Sequence, residues 1–320
     1  MTGITVGVLR GGPSSEYDVS LKTGGAVLRN LPAHYKPVDI LIDKNGVWHR
    51  GGVPFSPQRI IRHIDVIFNA LHGYYGEDGK VQNLLDSLLI PYTGSSSLAS
   101  ALGMNKALAK ENFRRRGIKT PYAVILKRQS FGEDKALQLW RSMPQPSIIK
   151  PVSGGSSLGV VIAKNYNEFL NGFDHSFHFS DAVLVEEYIK GREATCGVIE
   201  RFRGQELYAL LPTEIIPPKG RFFDYESKYG GEAREMCPSH FSTTEKRRLM
   251  DCAIAAHKAL GLRHYSRSDF IVSSRGVYLL EVNTSPGLTE ESLWPKACSA
   301  IGCSLPDFLD HVIQLALNKY

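Results

Sequence analysis

The chain has 320 residues, 42% hydrophobic and 22% charged, which is enough for two or three domains with separate cores. Its net charge of +6 and pI near 9.0 favour anionic partners only weakly. Five scattered cysteines without CxxC spacing argue against a zinc site or disulfide framework, and no apolar run approaches the ~18 residues of a membrane-spanning helix.

The opening ITVGVLRGG lacks the basic and long apolar regions of a signal peptide, so a cytoplasmic protein with free, mostly buried thiols is expected. Residues 4–9 read as a strand ending in Gly11-Gly12-Pro13-Ser14-Ser15, and a helix-like stretch follows through Val19, Leu21, Val27, Leu28 and Leu31. PVDILID and IDVIFNALHG are two further strands, 81–89 has helical spacing, and IPYTG reads as a short strand. Strands alternating with helices predict a mostly parallel sheet with its functional groups at the carboxyl ends of the strands. Glu16 and His72 lie just past two such ends.

Ser95-Ser96-Ser97 marks a domain boundary, after which 98–117 is expected to form a helix containing Lys106. The strand YAVIL (122–126), a helix near 134–142 and the strand SIIK (147–150) lead into a glycine/serine loop at 153–159. VLVEEYI (183–189) is another strand, with a turn or linker at Lys190-Gly191. Helices are expected over 244–260, 293–302 and 305–318, and the aromatic, charged stretch 217–242 shows no periodicity and reads as a functional loop. The basic runs Arg114–Arg116 and Lys246–Arg248 fall in helix-like segments without interleaved aromatics, so solvated faces are expected and nucleic-acid binding is not.

The densest chemical signal is YLLEVNTSPG, 278–287. Alternation along a strand puts Glu281 and Asn283 on one face, and the turn Ser274-Arg275-Gly276 would bring Asp269 of SDFIVSS across from Glu281. Carboxylate and amide oxygens are hard ligands that suit Mg²⁺ rather than zinc. The plain alternative is a pair of solvent-facing acids on an edge hairpin. No GxxxxGK[ST] or GxGxxG occurs, so the small-residue loop 153–159, preceded by Lys150, is the candidate phosphate holder. Lys106 and Lys228 could add positive charge. Glu186 and Glu193 bracket the linker, where backbone groups of Glu187, Tyr188 and Ile189 could meet a nucleotide base and a glutamate its ribose.

Six segments in order, GGPSSEYDVSL, ALHGYYGEDG, PYTGSSSLASALGMNK, IIKPVSGGSSLG, FDYESKY and LLEVNTSPGLTEESL, resemble the D-alanine–D-alanine ligase family of the ATP-grasp superfamily over nearly the whole chain. The resemblance implies an α/β (α+β), three-domain ATP-grasp fold: a Rossmann-like parallel-sheet domain (1–95), a central subdomain (96–183) and a C-terminal subdomain (184–320) with a lid at 217–242. Lys106, Lys150 and Lys228 would face the phosphates and Ser156 and Ser157 the closing loop. Glu186 with the backbone of Glu187 to Ile189 would hold adenine, flanked by Phe222 and Leu280, and Glu193 the ribose.

By the same resemblance Asp269, Glu281 and Asn283 would bind two Mg²⁺ ions, with Mn²⁺ as a substitute. Glu16 and His72 would serve the first D-alanine, Ser292 and Leu293 the second, and Arg267 with the Gly287 backbone the oxyanion. Tyr229 would bond across to Ser156 and Glu16, and a tyrosine there implies an amine nucleophile, since relatives that make D-alanyl-D-lactate carry phenylalanine. The implied reaction joins two D-alanines with ATP through a D-alanyl phosphate, for peptidoglycan precursors, in a homodimer. Three departures stand out: Gly154 in place of an acid, Glu187 where some members have lysine, and Ser268 in place of an aliphatic residue. The first two should alter ATP affinity more than the reaction. Ligation of D-alanine with D-serine or D-lactate is the alternative, and a non-catalytic nucleotide binder is disfavoured by the intact Arg267, Asp269, Glu281 and Asn283.

Overall fold

A computed structural model describes residues 3–216 and 234–318. The apolar strand Thr5–Gly11 runs inside a five-stranded sheet, paired in parallel with the central strand Lys36–Ile42 on one side and with Val66–Asn69 on the other. Helix Tyr17–Asn30 makes the crossover between the first two of these strands, and its buried face of Ser20, Thr23, Gly24, Ala26 and Val27 is small enough to lie close to the sheet. A β-carbon at Gly24 would stand 2.5 Å from that of Arg10.

Beyond these two ladders the only parallel pairing among the described residues of this sheet is a single bridge. Trp48–Arg50 and Val53–Pro54 extend the sheet as antiparallel edge strands, and IPYTG contributes only a bridge, Ile67 to Tyr92, in place of the expected strand. One face of the sheet is sealed by its own chain through Leu9, Ile40, Ile67, Val81 and Leu85. The other packs Val6, Val8 and Phe68 against Trp294, Phe308, Val312 and Ile313 from the far end of the sequence. The helices Leu293–Ala300 and Leu305–Leu317 therefore complete the N-terminal core.

Two antiparallel sheets follow. The four-stranded one runs in the order Ala123–Lys127, Ala182–Glu187, Ser147–Pro151, Val161–Ala163, backed by Phe169, Phe173 and Phe177 of helix Tyr166–Phe177. The six-stranded one has Arg192–Phe202 and Tyr265–Ser273 at its centre, with Gly276–Asn283, Thr213–Ile216, Arg234–Met236 and Gln205–Ala209 around them. Arg234–Met236 thus forms an edge strand within the stretch expected to be wholly irregular. Helix Thr243–Ala259 covers this sheet and starts with a reciprocal Ser242–Glu245 cap.

The helix expected over 98–117 is broken in two, Ser97–Met104 and Lys106–Arg115. Asn105 leaves the helical region (φ −89°, ψ 97°), and its side chain accepts the Ala107 and Leu108 N–H groups, which makes it the cap of the second piece. Apolar spacing runs straight through the break, so periodicity alone concealed it. Arg114, Arg115 and Arg116 are exposed, as are Arg247 and Arg248, in keeping with solvated faces. No described helix is long and apolar enough to cross a membrane. Among the cysteines, all free, Cys196, Cys298 and Cys303 are buried and Cys237 and Cys252 partly so.

Candidate functional site

All three sheets contribute to one cavity of about 1220 Å³. Every candidate residue named above that falls among the described residues lines it: Glu16, His72, Lys106, Lys150, Ser156, Ser157, Glu186, Glu187, Tyr188, Ile189, Glu193, Arg267, Asp269, Leu280, Glu281, Asn283, Gly287, Ser292 and Leu293. Phe222, Lys228 and Tyr229 lie outside the described residues.

Asp269 and Glu281 are register partners across the hairpin Tyr265–Ser273/Gly276–Asn283, and Arg267 pairs with Asn283. The expected juxtaposition is therefore met, with a bulge just after Asp269. Arg267 grips Asp269 with two bonds of 2.9 Å, and Thr195 Oγ1 donates to Asp269 Oδ1 at 2.8 Å. Burial works against the Arg267 charge, but Asp269, Glu281 and Glu77 outweigh it and push its pKa up. The guanidinium is a permanent cation there. Asn283 Oδ1 takes the Ser285 N–H at 2.9 Å, and Lys106 Nζ stands 3.5 Å from Glu281 Oε2.

No cluster of three or more His, Cys, Asp or Glu able to hold a metal exists among the described residues. Two carboxylates and an amide oxygen are nevertheless the kind of donor set that holds Mg²⁺ when substrate phosphates supply the remaining oxygens. The residues present fit a shared metal and not a protein-only cage.

The helix start at Lys106 locks the glycine/serine loop. Lys106 N–H donates to the Val152 carbonyl at 2.9 Å, Asn105 bridges Ser153, and Lys106 Nζ reaches the Gly154 carbonyl at 2.5 Å. Within the loop Ser156 and Ser157 hold φ of 51° and 57°, a left-handed conformation that non-glycine residues adopt at a cost. Ser156 Oγ bonds Glu16 Oε1, tying this loop to the start of helix Tyr17–Asn30. Gly154 has φ +125°, so any residue with a side chain would be strained at this point of the loop.

On the strand Ala182–Glu187, Glu186 is buried between Lys150 on one side and Lys110 on the other, each 3.0 Å away. Burial raises its pKa, but Lys110 and then Lys150 outweigh this and hold it below the usual carboxylate range. Glu187 turns elsewhere: its carboxylate takes the Tyr122 N–H at 3.0 Å and Arg275 at 2.8 Å. Its carboxylate is therefore committed to neighbouring protein groups.

At the opposite end, His72 Nε2 bonds Thr23 Oγ1 at 2.8 Å, and its Nδ1 stands 3.7 Å from Glu77 Oε1. Gly73 allows Glu16 to approach, since a β-carbon there would sit 2.6 Å from Glu16 Oε2. Ser292 occupies the N-cap of Leu293–Ala300 without capping it; its Oγ bonds Thr289 Oγ1 at 2.8 Å. The unsatisfied N–H groups of this helix start are suited to a carboxylate. A β-carbon on Gly287 would meet Ser292 Oγ at 2.9 Å, so the glycine lets this backbone lie close beside Ser292.

Sequence reasoning missed Glu77, Thr195 and Lys110. Glu77 sat in GEDG, which reads as a turn, and only the fold shows it buried, accepting the Gly73 N–H at 2.9 Å.

Family models named for the D-ala D-ala ligase C-terminus and N-terminus match residues 113–314 and residues 5–59 and 52–95. The chain belongs to the D-alanine–D-alanine ligase family. It is 40% identical to a D-alanine–D-alanine ligase of Geobacter sulfurreducens over 98% of this chain and 94% of that one. A Halalkalibacterium halodurans relative of the same name is 37% identical over 98% and 99%. Among solved structures, the D-alanine-D-alanine ligase from Coxiella burnetii superposes with a TM-score of 0.86 at 29% identity, covering 99% of this chain and 95% of that one. The VanG D-Ala:D-Ser ligase from Enterococcus faecalis gives 0.87 at 30% identity, covering 98% and 99%. These neighbours bear out the mixed α/β, ATP-grasp architecture expected of the chain.

Proposed function

We propose that this protein is an ATP-dependent D-alanine–D-alanine ligase whose product serves peptidoglycan precursor synthesis. The observation that carries this reading is the single cavity in which a buried-carboxylate and lysine end meets an Arg267, Glu16, His72 and Ser292 end. Full-length likeness to enzymes of that name supports the substrate.

In this reading ATP lies between the two antiparallel sheets. Glu186 and the backbone of Glu187 to Ile189 meet adenine beside Leu280, Glu193 takes the ribose, and Lys106, Lys150, Ser156 and Ser157 face the phosphates. Asp269, Glu281 and Asn283 would hold two Mg²⁺ ions, for which Mn²⁺ could substitute. Metal bound there would offset the negative charge that gathers on the transferring phosphoryl group.

Glu16, next to His72, receives the ammonium of the first D-alanine. A carboxylate oxygen of that substrate attacks the γ-phosphorus and the bond to ADP breaks, leaving a D-alanyl phosphate. The amine of the second D-alanine, its carboxylate held at Ser292 and Leu293, then attacks the carbonyl carbon and phosphate departs. Between these bond changes the carbonyl oxygen carries negative charge, and fixed donors at Arg267 and the Gly287 N–H stabilise it. The family resemblance assigns a water-excluding lid to the stretch 217–242, of which 217–233, with Phe222, Lys228 and Tyr229, lie outside the described residues. The division at 1–95, 96–183 and 184–320, the cytoplasmic site and a homodimer belong to the same reading.

The likeness to a D-Ala:D-Ser ligase shows that this fold accommodates another second substrate. Product mass after incubation with ATP and D-alanine, alone and with D-serine or D-lactate in competition, separates the readings. Mostly D-alanyl-D-alanine is expected. A mixed product as the main species would replace the leading reading with the second.

A further inference from the structure

Lys110 has no role in the reaction described above, yet its setting is unusual for a lysine. It lies one turn beyond Lys106 on Lys106–Arg115 and is 1% exposed. Its neighbours Ala109 and Phe113 belong to the core under the six-stranded sheet. Its Nζ contacts Glu186 Oε1 at 3.0 Å without good hydrogen-bond geometry, so the attraction is one of charge. Burial lowers the ammonium to about 8, more than Glu186 restores. A lysine that costs stability in this way could be replaced by an apolar side chain of similar size if its charge did nothing.

Glu186 is thus shared between two cations that differ in one respect. Lys150 is part of the cavity wall and Lys110 is not. From the strand on the other side the register partner of Glu186 is Ala123, which carries no charge, and Arg114 adds its field one turn beyond Lys110. A nucleotide would draw Lys150 toward its phosphates. A fully buried carboxylate left without a counter-charge takes up a proton.

We propose that Lys110 is a positioning residue that keeps Glu186 an ionised, acceptor-only carboxylate while Lys150 serves the phosphates, and that it thereby sets the preference for adenine. This rests on the ATP reading of the cavity. Adenine offers an amino donor at position 6 and guanine a carbonyl acceptor. An ionised carboxylate can only accept, whereas a protonated one can donate and so tolerate guanine.

The test compares kcat/KM for ATP and GTP at about pH 6 and about pH 9, on either side of the range in which a buried carboxyl would titrate. The wild-type enzyme should prefer ATP by a ratio that stays flat. In Lys110→Met the ratio should fall at least about tenfold at the lower pH and recover at the higher. The change should lie in KM for ATP, with KM for D-alanine unmoved. A folded Lys110→Met whose ratio stays at the wild-type value, or drops equally at both pH values, overturns the proposal.

Glu186→Gln compared with Lys110→Met/Glu186→Gln covers the case in which the single Lys110 variant does not fold. With no carboxyl to hold ionised, removing Lys110 should change KM for ATP by less than about threefold, and about tenfold or more overturns the proposal. A wild-type enzyme that turns over D-alanine but ignores the base overturns this inference alone. One with no D-alanine-dependent turnover overturns the ATP-ligase reading as well.

Discussion

At the proposed nucleotide end of the cavity the working side chains stand on antiparallel strands, whereas at the amino-acid end they stand on turns and helix starts. Lys150, Glu186, Asp269 and Glu281 each belong to a strand whose register fixes the direction of its side chains. Glu16, His72, Gly287 and Ser292 lie outside strands, and their closeness depends on glycines at 73, 155 and 287. The difference teaches where tolerance should lie. Each strand-borne charge has a partner of opposite sign, so replacing one deprives that partner of a counter-charge, while turn-borne groups can shift by fractions of an ångström and retune the second substrate. The equal likeness of this chain to a D-Ala:D-Ser ligase fits such a division.

Four outcomes would break or sharpen that contrast. The largest effect is expected from Arg267→Ala, on a strand that reaches between the two ends. Removing an oxyanion donor should lower kcat by ~10²–10³, measured as D-alanine-dependent phosphate release. A loss below about tenfold would mean that the donor lies elsewhere.

Next in size is an acid effect that belongs to neither end. His264 Nδ1 accepts the Gly94 N–H at 3.0 Å, so protonation breaks that bond. Burial, then the Arg263 charge, lowers the His264 pKa from 6.5 to about 4. Its contribution is therefore present above about 6.5 and is lost as pH falls toward about 4, on the order of 3 kcal/mol in all. Thermal unfolding across that window should show the slope, and His264→Asn should flatten it. Asparagine tolerates the φ of 62° and offers an oxygen to the same N–H. An unchanged slope in that variant would locate the acid sensitivity in other groups.

Gly73→Ala should come third. Its β-carbon would press on Glu16 at a backbone angle of +69°, at a cost of roughly 1–3 kcal/mol in local strain. KM for the first D-alanine should rise about tenfold with KM for ATP unmoved; a matched rise in both would erase the distinction between the ends. Ser292→Ala is the mildest. Loss of one hydrogen bond should raise KM for the second D-alanine by about three- to tenfold in steady-state kinetics, and no change would shift the carboxylate contact to the Leu293 backbone alone.

The strand-borne end was also the more legible in sequence. Asp269 and Glu281 could be paired from the two-residue period and a short turn, because strand geometry leaves few choices. The break at Asn105 was hidden by apolar spacing that continues from Leu98 and Leu102 to Ala109 and Phe113, although asparagine is a common cap. Lys110 was unreadable, since a lysine buried against a distant strand looks the same in sequence as one on a solvated face. Glu77 needed the fold for the same reason. The sealing of the N-terminal sheet by Trp294 and Phe308 depends on contacts across almost the whole chain, which no local pattern encodes.

The most direct test of the account is phosphate release from ATP by the purified enzyme, with and without D-alanine, measured together with the dipeptide formed. Release that requires D-alanine and matches D-alanyl-D-alanine one for one is the expected result. Folded protein that releases no phosphate in response to D-alanine, or releases it without forming a peptide bond, would contradict it.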